Sequence, residues 1–181
     1  DVSKVQSMSS MFRSATSFNG DISKWDVSSV VDLSRMYLDA ESFNRDISKW
    51  DASSLKKTFG MFFYAISFNG DLSKWDVSSV KQMAEMFSFA TSFDNDISKW
   101  DVSSAMDMQS MFYRTSSFDR DLSEWKVSHV TNMKEMFAFA ESFNQDLSTW
   151  NVWPVLSIWT KCFLTQKKIN QELCGKEFVD S

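Results

Sequence analysis

The sequence predicts an α/β solenoid, right-handed, whose 25-residue units each supply a short parallel β-strand, a turn, a short helix and an Asn/Asp turn. Three observations predict it. Tryptophan recurs without slippage at Trp25, Trp50, Trp75, Trp100, Trp125 and Trp150. Within each unit the apolar spacing switches from a strand-like to a helix-like period. The 181 residues include 17 Phe, 11 Met and 8 Trp but only 4 Gly and 1 Pro, which leaves tight connections rather than long linkers.

The strand is expected around the tryptophan. Ile22, Trp25, Val27 and Val30 form one apolar run, and Trp25 and Val27 point the same way on an extended chain because strand side chains alternate. This is the spacing of the strand segment of a leucine-rich repeat, with Trp in the second leucine place. The helix is expected over 31–39. Val30, Leu33, Met36, Tyr37 and Ala40 follow one helical face, and Ser28 or Ser29 stands where a helix N-cap is favoured. The same face recurs as Val80, Met83, Met86, Phe87 and Ala90.

An Asn/Asp turn closes the unit. Phe43 is its anchor, followed by Asn44 and, two residues later, Asp46; each recurs in every unit. Asn and Asp satisfy nearby backbone donors in turns. Their oxygens, from Asn19/Asp21 to Asn144/Asp146, also invite a Ca²⁺ reading. The glycine-rich nonapeptide of calcium-binding β-rolls and the EF-hand loop are both absent, so turn stabilisation is preferred and no metal or other cofactor is expected.

One unit cannot bury its own Trp, Met and Phe, but stacked units can, at about 4.8 Å per rung in a parallel ladder. Residues 1–150 are therefore a six-unit array. Residues 151–181 are a degenerate unit and C-terminal cap, where Trp153 and Pro154 replace the serines. The first unit has no such cap, so more repeats or another chain is expected to cover it.

These residues carry a family pattern. Asp-[Ile/Leu]-Ser-x-Trp-Asp-Val-Ser-Ser-Val, followed by Met-x-x-Met-Phe-x-x-Ala-x-Ser-Phe-Asn, resembles the BspA-like surface repeat, a divergent leucine-rich-repeat group known from mycoplasma lipoproteins and other microbial surface proteins. The resemblance covers residues 1–150 and not the tail with Cys162 and Cys174. It implies an extracellular or cell-surface, adhesive or protein-binding role and supplies no catalytic residues.

Beside the tryptophans stand Lys24, Lys49, Lys74 and Lys99, then Glu124; one step on stand Asp26, Asp51, Asp76 and Asp101, then Lys126. As a plain surface these columns neutralise each other and are solvated. As a functional surface they form a partner-binding face, with the inverted Glu124-Trp-Lys126 order as a register mark. Trp153, Trp159 and Phe163 either cap the core or form a docking patch. Cys162 and Cys174 would form a disulfide in an oxidising compartment and stay free thiols in a reducing one.

The net charge of −5, with both signs mixed along the chain, argues against nucleic acid as a partner. No stretch approaches the ~18 apolar residues that would span a bilayer. A single histidine, His129, gives no catalytic triad or acid–base pair, and Gly20, Gly60, Gly70 and Gly175 make no phosphate loop, so an enzyme is not expected. The expected function is a non-catalytic binding or adhesion module for a protein or glycan partner. The alternative is a structural subunit packed within a larger complex, organellar or intracellular.

Overall fold

The computed structural model describes residues 2–150. The degenerate unit and cap, with Trp153, Trp159, Phe163, Cys162 and Cys174, lie outside the described residues. The described chain is a stack of coils. Six rungs of 25 residues, each ending on its tryptophan, lie one over the next, and residue i sits beside residue i+25.

The expected helix over 31–39 does not form. Its amides divide into two alternating sets. Met36, Leu38 and Ala40 donate three residues back, to Leu33, Arg35 and Tyr37 at 3.1, 3.2 and 3.0 Å. Leu33, Arg35, Tyr37 and Asp39 instead donate across to Lys57, Phe59, Met61 and Phe63 of the next rung at 3.0, 2.8, 2.9 and 2.7 Å. An α-helix needs every amide to reach four residues back. Here half of them leave the rung. The backbone enforces this with left-handed residues at Arg35 (φ 56°) and Asp39 (φ 61°), and each rung repeats the pair.

The strand also fails to form. Turns at 23–24 and 28–29 break the segment around Trp25. What pairs instead is one residue per rung, in the parallel bridges Ser7–Asp32–Lys57–Gln82–Asp107–Asn132. Among the described residues there is no helix and no strand, so the α/β leucine-rich-repeat solenoid is the wrong class. The rung is made of turns. The apolar spacing misled because Leu33, Met36, Tyr37 and Ala40 are all buried, as a helical face requires. A turn chain that repeats every four residues buries positions i, i+3, i+4 and i+7 just as a helix does.

The core consists of aromatic columns. Phe12, Tyr37, Phe62, Phe87, Phe112 and Phe137 stack from rung to rung at 5.4–5.7 Å. A second column, Phe18 to Phe143, stacks at 5.8–6.1 Å, and the two meet within each rung at 3.8–4.2 Å. The tryptophans from Trp50 to Trp150 are buried, and each indole Nε1 donates to the carbonyl of Ile22, Ile47, Leu72, Ile97 or Leu122 on the preceding rung at 2.8–3.2 Å. A buried indole thus keeps its polar edge satisfied, as it must to be cheap to bury.

Candidate binding surfaces

The aspartates beside the tryptophans are turn residues first. Asp26, Asp51, Asp76 and Asp101 each accept the amide of the serine two residues on, at 2.9–3.1 Å. The Ser28 and Ser53 hydroxyls donate to Asp26 and Asp51 as well. Ser28 and Ser29 therefore cap no helix: Ser29 Oγ reaches back to the Ser3 carbonyl. Serine hydrogen bonds hold the carboxyls of Asp26, Asp51 and Asp101 below the usual range.

The Asn/Asp turn works in the same way. Asp21, Asp46, Asp71, Asp96, Asp121 and Asp146 accept the amide two residues on at 2.8–3.0 Å. Asn19, Asn44, Asn69, Asp94 and Asp119 accept the amide of their successor 25 residues later, at 2.9–3.1 Å. Each of these oxygens serves a backbone donor. Among the described residues no group of three or more His, Cys, Asp or Glu is placed to hold a metal ion.

Lys24, Lys49, Lys74, Lys99, Glu124 and Lys126 are all exposed. Among the described residues no Lys24-type residue forms an ion pair with an Asp26-type residue. Among the described residues the ion pairs are Arg120–Asp94 and Lys134–Glu135. The lysines act at longer range on the other aspartate column: Lys24, Lys49, Lys74 and Lys99 help lower Asp21, Asp46, Asp71 and Asp96. The structure does gather Lys99, Asp101, Glu124 and Lys126 around a shallow depression of about 260 Å³ over Trp100, and Lys24 and Asp26 line a smaller one beside Trp25.

A second surface was not singled out by the repeat. In each rung the second left-handed residue is Ser14, Asp39, Tyr64, Phe89, Arg114 or Phe139. From the third rung on it is large. Tyr64 is 40 % exposed, Arg114 is exposed, and Phe89 and Phe139 are half-buried. The rings of Tyr64 and Phe89 lie 5.4 Å apart, Phe89 and Tyr113 5.3 Å, and Tyr113 and Phe139 5.5 Å edge to face. The Arg114 guanidinium lies 4.8 Å from the Phe139 ring centre, within cation–π range. The signal was present in the sequence, because Phe89 and Phe139 add aromatics off the core face. Without the left-handed backbone, however, nothing marked their position as costly.

The family model described as "Mycoplasma protein of unknown function, DUF285" matches residues 1–94 and again 71–176. No curated protein and no solved structure matches the chain. Among the described residues no helix is long and apolar enough to cross a membrane.

Proposed function

Because the chain belongs to this DUF285 family of mycoplasma proteins, whose function is unknown, we propose that it is a non-catalytic module that binds a protein or glycan partner at the cell surface. The aromatic–arginine strip carries this reading. A left-handed backbone costs a non-glycine residue roughly 1–2 kcal/mol, and glycine or asparagine would escape most of that. Tyr64, Phe89, Arg114 and Phe139 accept the cost on four consecutive rungs and turn much of their bulk outward. The left-handed backbone itself recurs in every rung, so what sets these four apart is a large, partly exposed side chain there, packed along the strip on its neighbours. Tyrosine and arginine, moreover, are the side chains that most often dominate binding energy. The resemblance to BspA-like surface repeats supports the extracellular or cell-surface setting.

The test is binding of the full chain to an immobilised panel of extracellular-matrix proteins and glycans. A Tyr64→Ser/Arg114→Ser variant should lose most of the binding at an unchanged melting temperature, since both residues are exposed. A Phe89→Leu/Phe139→Leu variant, which keeps apolar bulk, should also weaken it. Full binding by both variants would refute the reading.

One observation favours a structural subunit instead. Phe12, Phe18 and Trp25 of the first rung are only half-buried, whereas Trp50 to Trp150 are no more than 5 % exposed. A half-buried aromatic face of this kind is one on which a partner chain could pack. Association through this end, seen by light scattering and abolished by Trp25→Ser with binding to the panel unaffected, would support the scaffold.

A further inference from the structure

The single-residue bridge ladder has a lysine cluster on it that the repeat does not require. Lys56 and Lys81 occupy consecutive rungs of a column whose other members are Gln6, Val31, Met106 and Thr131. Lys57 adjoins them in the bridge column itself. The column accepts an amide, a valine, a thioether or a hydroxyl, so lysine answers no structural need there. Neighbouring rungs place the like charges of Lys56 and Lys81 side by side, which is unfavourable, while Lys57 has Asp32 as its bridge neighbour on the preceding rung. All three are exposed, and the ion pairs among the described residues, Arg120–Asp94 and Lys134–Glu135, do not include them. They line one end of a groove of about 360 Å³ that continues over Gln82 and Met106 to Asn132. Met106 is 48 % exposed, a large apolar side chain with no cover.

We propose that this groove binds an extended acidic peptide segment, its carboxylates over Lys56, Lys57 and Lys81 and an apolar side chain over Met106. The four rungs from Lys56 to Thr131 are three steps of about 4.8 Å, which about four extended residues would span. The backbone under the groove is held rung to rung, with Lys81 N on the Lys56 carbonyl and Met106 N on the Lys81 carbonyl, so the lysine stems project from a fixed base. Asp107 faces the Met106 end of the groove and repels a carboxylate there. The acidic part of the ligand is thereby directed to the lysine end and its apolar part to Met106. A nucleic acid or sulfated glycan carries charge on nearly every unit. It would set an anion against Asp107 on a chain of net charge −5 and leave Met106 uncovered. These residues are a different set from the aromatic strip, so the two proposals fail separately.

The test is fluorescence anisotropy with the full chain and a labelled dodecapeptide centred on Glu-Glu-Gly-Leu. Saturable binding is expected, weaker by about tenfold or more for a Gln-Gln-Gly-Leu control and for a K56Q/K57Q/K81Q variant with unchanged melting temperature. Replacing the peptide leucine by glycine should weaken binding to the native chain but have little further effect on a Met106→Gln variant. The proposal is overturned if the Glu-Glu and Gln-Gln peptides bind alike, or if no saturable peptide binding is seen. A heparin fragment or an oligothymidylate that binds through the three lysines while the peptide does not compete would overturn it equally.

Discussion

Tyr37 stands in a column otherwise built of phenylalanine, fully buried, with a hydroxyl that has no hydrogen-bond partner among the described residues. Burial drives its pKa far above the ordinary phenol range. Restoring the column with Tyr37→Phe should raise stability in urea unfolding by about 1–2 kcal/mol, the desolvation cost of an unsatisfied buried polar group. A loss of stability would mean that the hydroxyl is hydrogen-bonded after all. Contrast Thr115, which stands where other rungs have alanine: its hydroxyl is also buried but donates to the Phe87 carbonyl at 2.7 Å. At the tryptophans, Trp75→Ala should cost on the order of 3–5 kcal/mol as a core truncation, and Lys74→Ala, at an exposed site, under about 0.5 kcal/mol. A larger shift of the urea midpoint for Lys74→Ala than for Trp75→Ala would show that the two faces are reversed. The inward tryptophans were legible from their period. The left-handed positions were not, because Ser10, Arg35, Glu85, Ser110 and Glu135 carry no preference for that conformation and only Gly60 hints at it.

The Asp-x-Ser turn is the element that recurs most, and it makes the stack sensitive to acid. Asp21, Asp46, Asp71, Asp96 and Asp121, with Asp26, Asp51 and Asp101, all have pKa values lowered from 3.8, chiefly by hydrogen bonds from the following serine. A carboxyl whose folded pKa lies below its unfolded one adds stability above the unfolded value and loses it as pH falls through the folded value. Glu85 runs the other way. Burial raises its pKa, so its charged form weakens the fold at neutral pH, but it is one group against eight. The melting temperature should therefore be nearly flat from neutral pH down to about 5 and fall steadily below about 4. A rise on acidification would show that the turn carboxylates are not held as ions. The turn chemistry was visible in the sequence, since Asn and Asp announce such turns. The helix and strand were false readings with one physical cause: apolar spacing reports which side chains are buried, and here turns bury the positions that a helix would. The partner of each amide distinguishes the two. The Leu33 and Tyr37 amides go to the next rung, and no spacing rule within one unit shows that.

Across the whole molecule the repeat and the departures from it divide the work. The aromatic columns, indole hydrogen bonds and Asn/Asp ladder recur in register and hold rung to rung, as expected of a molecule stabilised by nearest-neighbour contacts. The Lys24- and Asp26-type columns follow the same period, and their aspartates are occupied in turns. The strip from Tyr64 to Phe139 breaks the period at backbone positions where bulk is costly. On the proposed reading, binding belongs to the departures. The most direct measurement sets two variants side by side in the panel-binding assay: Tyr64→Ser/Arg114→Ser, and Lys24→Gln/Lys49→Gln/Lys74→Gln/Lys99→Gln. The first should lose binding and the second keep it, both folded by melting temperature. Binding lost with the lysine column and kept without the strip would contradict that reading.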